Sequence, residues 1–280
     1  MTSGRRTRRF DCHTHSRHSD GTLAPRDVVK RAEASKLDLL ILTDHDTLAG
    51  GAEAKAAAEA AGIPFSIGIE INSNYPEGQV HFLGYGIRWQ DSSFLSSLAR
   101  FRDRRRERVV NIMRRLRELG LPLSSEELPT SPDTPLGRPH VADLMRRKGI
   151  VGSRSEAFEK YLSRGRPGFA EPLGPTPEEA ISLIREAGGF ASLAHPKTAK
   201  SALKRLPEWV HAGLEGIEAY YAAFSEEERK HWSGLAGQFQ LLATGGSDFH
   251  GPGTGRDRPL GVEVPDPVFD RFAERLARCG

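Results

Sequence analysis

The chain has 280 residues, of which 38% are hydrophobic and 28% are charged, and this composition is typical of a globular protein rather than a disordered or fibrous one. Its net charge of +3 is too small to indicate nucleic-acid binding by itself, and no apolar run approaches the ~18 residues of a membrane-spanning helix. Only two cysteines are present, Cys12 and Cys279, and no apolar stretch precedes the first motif. We therefore expect a cytoplasmic protein with no disulfide framework, no secretory signal, no membrane association and no obligate protein partner.

The first 90 residues predict an alternation of strands and helices. Residues 37–42, LDLLIL, form an apolar run that is typical of a buried parallel strand. The alanine-rich helix that precedes Gly62 ends at a residue suited to the left-handed cap conformation. The predicted strands are residues 9–15, 37–42, 63–71 and 79–87, and the predicted helices are residues 27–36 and 49–61.

The alternation stops in residues 91–169, which we interpret as a helical insertion. One long helix or two consecutive helices are expected at residues 94–120, a loop rich in proline at 124–138, and two short helices at 141–148 and 155–163. Residues 100–117 contain nine arginines and two acidic residues. They indicate either a surface that attracts phosphate or a solvated helix face, and the sequence leaves both interpretations open.

Strands and helices alternate again in the last third of the chain. Capping-box patterns begin two of the helices, one at Thr176 and one at Ser225. The predicted strands are residues 190–194, 214–220 and 241–244, and the predicted helices are residues 176–187, 201–211, 225–237 and 269–278. Repeated units of this kind favour an α/β fold resembling a barrel.

Nine side chains of the metal-ligand type lie at or beside predicted strand ends. They are His13, His15, Asp20, His45, Glu70, His81, His195, Asp248 and His250. Residues two apart in a strand point to the same side, and the carboxyl ends of parallel strands meet at one face of a barrel. A single histidine of this kind is more often structural, but nine such groups buried together would leave many polar atoms unsatisfied without a metal. Imidazole and carboxylate ligands without a thiolate suit Mn²⁺, Zn²⁺ or Fe²⁺.

The motifs around these residues resemble, in order, those of the PHP (polymerase and histidinol phosphatase) domain family. They are His13-x-His15, Ser19-Asp20-Gly21, Thr43-Asp44-His45-Asp46, Gly68-Ile69-Glu70, His81, Ala194-His195-Pro196 and Ser247-Asp248-x-His250. The resemblance implies a distorted (β/α)7 TIM-like barrel, which residues 9–90 and 170–280 would form. We expect residues 91–169 to act as a lid that recognises the substrate.

The same resemblance implies three divalent metal ions, with manganese favoured and zinc or iron as alternatives. His13, His15, Glu70 and Asp248 would hold the first ion. Glu70, as a bridge, would hold the second with His81 and His195. Asp20, His45 and His250 would hold the third.

Within the family, the insertion and the stretch at residues 137–142 resemble the small-nucleotide branch. The expected reaction removes the 3'-phosphate of nucleoside 3',5'-bisphosphates to give 5'-mononucleotides. A metal-activated hydroxide would be the nucleophile, and His13, His15, Glu70 and Asp248 would be the catalytic residues. The alternatives are a 5'-to-3' exoribonuclease on short RNA and a phosphatase resembling histidinol phosphatase. An amidohydrolase is less favoured, because Glu70 takes the place where those enzymes usually carry a carbamylated lysine, and a non-enzymatic accessory domain is less favoured still.

Four further side chains are candidates for contacts with substrate phosphates, because cationic and imidazole groups suit phosphate recognition. They are Arg17, Arg138, His140 and Lys197. The alternative for each is a surface or structural role. The expected partner is a phosphorylated nucleotide or short RNA.

Overall fold

The computed structural model describes residues 7–75 and 78–279, and it contains nine strands and nine α-helices within these ranges. The strands are β1 (Thr7–Asp11), β2 (Leu39–Leu42), β3 (Phe65–Ile67), β4 (Ile69–Tyr75), β5 (Gly78–Tyr85), β6 (Phe190–Leu193), β7 (Leu214–Tyr221), β8 (Leu242–Gly246) and β9 (Val262–Pro265). The α-helices are α1 (Pro25–Ala34), α2 (Gly51–Ala61), α3 (Ser92–Glu118), α4 (Arg138–Arg147), α5 (Arg154–Ala157), α6 (Pro177–Glu186), α7 (Leu206–Ala212), α8 (Glu226–Gln238) and α9 (Asp266–Ala277). No helix in the described part of the chain has the length and apolar character needed to span a membrane.

The strands form two sheets, and the fold is a mixed α/β fold as predicted. One sheet has the order β3-β2-β1-β9 and the other the order β4-β5-β6-β7-β8. Isolated bridges between Thr14 and Phe249 and between His45 and Glu70 link the two sheets. The described residues do not form one closed sheet, so the predicted (β/α)7 barrel closure is not seen. Three antiparallel pairings, β1 with β9, β4 with β5 and β5 with β6, interrupt the parallel arrangement that such a barrel requires.

Several strand predictions were wrong in detail. The strand predicted at residues 9–15 ends at Asp11, so His13 and His15 follow it. The segment predicted as one strand, residues 63–71, is divided at Gly68 into β3 and β4. A Cβ atom at Gly68 would lie 2.8 Å from the carbonyl oxygen of Gly84, so the close approach of the two chains requires glycine there. Strand β9 was not predicted, because its four residues follow a glycine-rich and proline-containing loop and carry no long apolar pattern.

Residues 91–169 have a hydrophobic cluster of their own. Helix α3 contributes Val109, Ile112, Met113 and Leu116 to it, and the shorter helices pack against this face. Within the described residues between β5 and β6 there is no strand, and short 3-10 and π-helical segments occur at Ser125–Glu127 and Phe158–Leu162. The segment is therefore helical, as predicted, although α4 begins at Arg138 rather than at residue 141.

Candidate metal centre

The nine predicted ligands lie close together at one end of the two sheets. Glu70 and His81 lie within β4 and β5, and the other seven lie in the segments that follow β1, β2, β6 and β8. All are buried except His81, of whose side chain 24% is accessible. The chain leaves the strands at His195 and Asp248 in the left-handed region, with φ values of 27° and 53°. Such backbone positions cost free energy and persist where the surrounding structure holds them, often at functional sites.

The carboxylate of Glu70 is at the centre of this cluster. Its Oε2 lies 3.1 Å from a ring nitrogen of each of three residues, His13, His15 and His45. Its Oε1 lies 2.8 Å from His81 Nδ1 and 3.1 Å from His195 Nε2. One buried carboxylate thus faces five imidazoles, an arrangement in which it could bridge more than one cation.

Two aspartates complete the cluster. Asp248 Oδ1 lies 3.4 Å from the nearer ring nitrogens of His13, His15 and His250. Asp20 Oδ1 lies 3.1 Å from His250 Nε2 and 3.8 Å from His45 Nε2. These distances bring together every residue of the predicted ligand set.

The geometry divides the residues into three groups whose candidate ligand atoms lie within 4.8 Å of one another. We call the first the inner group, consisting of His13, His15, Glu70 and Asp248. We call the second the outer group, consisting of His15, Asp20, His45 and His250. The third consists of His45, Glu70 and His81. The family resemblance implied that His195, rather than His45, lies with Glu70 and His81. It also implied an outer group without His15.

Several buried atoms of the cluster have no hydrogen-bond partner. They are His13 Nε2, both ring nitrogens of His15, Asp20 Oδ1, His45 Nδ1 and Glu70 Oε2. Each buried polar atom left without a partner costs about 1–3 kcal/mol, so a fold rarely collects several of them without a ligand. Because these atoms face one another at about the spacing of ligands around a shared cation, the residues fit divalent metal ions.

The carboxylates of the cluster are held in their charged form. Burial alone would raise the pKa of Glu70, but the imidazoles of His45 and His13 hold that pKa well below its usual range. Burial likewise opposes ionisation of Asp20, whose pKa the adjacent His250 keeps low. For Asp248, the guanidinium of Arg256 has the same effect. Three anionic groups are therefore available to bind cations at neutral pH.

Glu218, in β7, contacts two residues of the cluster, and the sequence analysis did not identify it as part of the site. Its Oε1 lies 3.0 Å from His13 Nδ1, and its Oε2 accepts the backbone N–H of His195 at 2.7 Å. A carboxylate on one ring nitrogen of a histidine directs the other nitrogen towards a metal. The available signal was an acidic residue inside the apolar strand sequence LEGIEAYY, where a buried charge needs a partner.

A cavity of about 150 Å³ opens over the cluster, between the sheets and residues 91–169. Its lining includes the candidate ligands Asp20, His45 and His81 and the arginines Arg105, Arg108 and Arg138. Arg256 also reaches it, with Nη1 3.2 Å from Asp248 Oδ2. The cavity therefore joins the candidate metal ligands to a cationic wall.

Two arginines of this wall share one neutral acceptor. Arg138 Nη2 and Arg108 Nη1 both donate to Gln79 Oε1, at 3.0 Å and 3.3 Å, and Arg108 Nη2 is buried without a partner. Burial, followed by the like charges of Arg138 and Arg105, lowers the pKa of Arg108 to about 9. Burial and the charge of Arg105 lower the pKa of Arg138 to about 10. A bound anion would relieve this unfavourable positive charge.

The long arginine-rich helix has two kinds of arginine. Arg102, Arg105 and Arg108 are spaced by three residues, and all three are directed inward, whereas Arg104 and Arg117 are exposed. The exposed arginines agree with the solvated-face interpretation, and attraction of phosphate by the inward set stays a prediction. The three-residue spacing beside buried Phe101 and Val109 was the signal for the inward set.

The other predicted phosphate contacts lie elsewhere. Arg17 is exposed, and Lys197 forms an ion pair with Glu228 at 2.5 Å. His140 has both ring nitrogens engaged, since Nδ1 accepts the N–H of Gly137 and Nε2 donates to the carbonyl of Ser19 at 2.9 Å. None of these three side chains lines the cavity, so their contact with a substrate stays a prediction.

Residues 11–164 match the model of the PHP domain family. A 3',5'-nucleoside bisphosphate phosphatase from Chromobacterium violaceum is 36% identical to this chain, over 96% of the chain and 98% of that protein. A 5'-3' exoribonuclease from Haemophilus influenzae is 31% identical, over 95% of the chain and 100% of that protein. A solved structure from Bifidobacterium adolescentis, of a protein proposed to be a metal-dependent phosphoesterase, is 30% identical. It superposes with a TM-score of 0.84 over 96% of both chains.

Proposed function

The chain belongs to the PHP domain family, and we propose that this phosphate-ester hydrolase removes the 3'-phosphate of nucleoside 3',5'-bisphosphates to give 5'-mononucleotides. The observation that carries the proposal is the cavity, which is lined both by candidate metal ligands and by the Arg108–Arg138 pair. A substrate with two phosphates would use both sets of residues. The 36% identity to the phosphatase from Chromobacterium violaceum supports the same substrate class.

We further propose that three divalent ions, with manganese favoured, bind the three groups of ligands defined above, with His195 as an additional ligand beside Glu70. When bound, the ions would activate a water molecule and offset the charge that develops on the phosphoryl oxygens. Their total charge of about +6 against about −3 from Asp20, Glu70 and Asp248 would leave an excess that favours a phosphate dianion.

The residues of the chain would contribute orientation and charge. His13 and His15 present their free ring nitrogens towards Glu70 and Asp248, and Glu218 sets the direction of the His13 ring. Arg108 and Arg138 would hold the phosphate that is not cleaved, because two guanidinium groups offer paired donors to its oxygens. Residues 91–169 would act as a lid, because they supply Arg105, Arg108, Arg138 and Phe158 to the lining of this cavity.

A second candidate is a 5'-to-3' exoribonuclease on short RNA. The same arginine pair could hold a terminal 5'-phosphate while the following phosphodiester lies against the metal ligands. The exposed arginines of α3, such as Arg104 and Arg117, offer positive charge for further nucleotides. The 31% identity to the exoribonuclease from Haemophilus influenzae supports this candidate.

The deciding experiment measures phosphate and nucleotide release in the presence of Mn²⁺ from four substrates: adenosine 3',5'-bisphosphate, 5'-AMP, histidinol phosphate and a 5'-phosphorylated RNA pentamer. We expect the bisphosphate to be the best substrate and 5'-AMP to accumulate as its product. Stepwise release of mononucleotides from the pentamer with equal or higher kcat/KM would instead favour the exoribonuclease. Faster hydrolysis of histidinol phosphate than of either nucleotide substrate would refute both.

A further inference from the structure

Polar side chains of residues 91–169 contact the loops that carry the outer group of candidate ligands. Asp20 lies in the loop after β1, His45 in the loop after β2, and His250 in the loop after β8. Hydrogen bonds from α3, α4 and α5 reach all three loops. In contrast, the side-chain hydrogen bonds described for Glu70 and Asp248 go to residues outside 91–169.

The Asp20 loop is held through its main chain. His140 Nε2 donates to the carbonyl of Ser19 at 2.9 Å. Arg154 donates through Nη1 and Nη2 to the carbonyl of Asp20, at 3.3 Å and 3.4 Å. The guanidinium of Arg154 is itself fixed by Asp143, which accepts from Nε at 2.8 Å and from Nη2 at 2.5 Å. Because the planar guanidinium of Arg154 is held by Asp143, it has little freedom to move. It therefore fixes the position of the Asp20 carbonyl to which it donates.

The His45 loop is held at Asp46, the residue after the ligand. Arg105 forms an ion pair with Asp46 Oδ2 at 2.6 Å, and Arg102 donates to the Asp46 carbonyl at 3.1 Å. Asp46 is buried and has a φ of 48°, in the left-handed region that residues other than glycine rarely adopt. Strain of this kind persists only where neighbouring contacts over-determine the conformation. The two arginines of α3 supply those contacts.

The third contact is weaker. Arg146 Nη1 donates to the carbonyl of Gly253 at 3.2 Å, in the loop after His250, and its side chain is 42% exposed. A contact exposed to solvent to this extent contributes little by itself. The positioning effect therefore depends mainly on the Asp20 and His45 loops.

We propose that residues 91–169 act as a clamp, through Arg102, Arg105, His140 and Arg154, that positions Asp20 and His45 and so sets the metal affinity of the outer group. The inference rests on the proposed function only in requiring that metal binds there. These are positioning residues, because they act through the main chain or the neighbour of a candidate ligand. The helical segment would then assemble part of the metal site in addition to covering it.

The test uses Arg154→Met and Arg102→Met, because neither side chain lines the cavity. Mn²⁺ binding to the full-length protein is followed by the electron paramagnetic resonance signal of free Mn²⁺, which gives the number of bound ions and the affinity of each class. An Asp20→Asn variant identifies the class that belongs to the outer group. Arg147→Met is the matched control, since Arg147 is exposed and donates to the Glu127 carbonyl at 3.2 Å within the same helical segment.

We expect each clamp variant to weaken the class identified by Asp20→Asn by about tenfold or more, which is the usual effect of losing a residue that orients a ligand. Arg102→Met is also expected to weaken the third group, because His45 belongs to both groups. The inner group in both variants, the third group in Arg154→Met and every class in the Arg147→Met control stay within about twofold of wild type, a range too small for a lost outer partner. Combining Arg154→Met with Asp20→Asn adds no further loss. Because Arg154 and Arg102 act on different loops, the second variant decides the test if the first does not fold.

Unchanged affinity of that class in the folded variants overturns the clamp, and so does equal weakening of every class, which would indicate general destabilisation. The clamp is also overturned if the wild-type protein has no class of bound Mn²⁺ whose affinity changes in Asp20→Asn. A wild-type protein that binds Mn²⁺ in this class but releases no phosphate from the bisphosphate refutes the proposed substrate and leaves the clamp to be judged on affinity alone.

Discussion

Replacing Glu218 with glutamine tests whether a buried carboxylate behind the cluster orients its ligands. Glu218 is fully buried in β7 and accepts at both oxygens, from the His195 backbone N–H and, through the 3.0 Å contact, from His13 Nδ1. Glutamine has nearly the same shape but only one accepting oxygen. One of the two donors would then face an amide NH₂ group, and the negative charge that favours the required His13 tautomer would be lost.

The size of the effect follows from these contacts. Loss of an outer carboxylate partner typically weakens metal affinity by about 10–100-fold, which corresponds to about 1.4–2.7 kcal/mol. The buried donor left without an acceptor would lower the free energy of unfolding by about 1–3 kcal/mol. We expect both changes in Glu218→Gln, and at saturating Mn²⁺ we expect kcat to recover in part.

The assay combines Mn²⁺ titration by calorimetry with urea unfolding of the metal-free protein. Glu215→Gln is the matched control, because Glu215 lies in the same strand but is 37% exposed and pairs with Arg275 at 2.7 Å. It should leave Mn²⁺ affinity unchanged, since the pair lies at the surface. Equal Mn²⁺ affinity in Glu218→Gln and wild type would refute the orienting role.

Three further predictions concern the cavity, the close backbone approach at Gly68 and the metal ions. Replacing Arg108 and Arg138 with methionine is expected to raise KM for adenosine 3',5'-bisphosphate by about 10–100-fold through lost charge-assisted hydrogen bonds. KM for adenosine 3'-monophosphate should change little, and an equal rise for both substrates would contradict a second phosphate site. Gly68→Ala should lower the free energy of unfolding in urea by about 1–3 kcal/mol, because its Cβ would meet the Gly84 carbonyl. Gly234→Ala, in open space on α8, should raise that free energy by about 0.5–1 kcal/mol, and equal values for the two variants would argue against the packing explanation. Chelation of divalent ions is expected to abolish phosphate release and lower Tm, and added Mn²⁺ to restore both, because the ions satisfy buried polar atoms only in the folded state. A Tm insensitive to both treatments would show that the cluster holds no metal.

Local patterns in the sequence were sufficient to predict several helix ends and the candidate metal ligands. The capping boxes at Thr176 and Ser225 are confirmed, as is the left-handed cap at Gly62, because each depends on residues within one helical turn. The nine ligand-type residues could be collected from the sequence because strand ends and motif order mark them. Their number and chemistry indicated a metal site, the resemblance of their motifs to the PHP family implied a hydrolase of phosphate esters, and the family match confirms that class.

Only the tertiary structure decided which groups act together. Glu218 lies 205 residues from the His13 that it orients, and no local pattern links the two. The division of the strands into two sheets depends on antiparallel pairings that alternating strand and helix predictions cannot distinguish from parallel ones. The inward direction of Arg102, Arg105 and Arg108 depends on how α3 packs against the Asp46 loop and Gln79. Long-range packing sets these relations, because the free energy of burying a charge depends on partners that only the folded chain brings into contact.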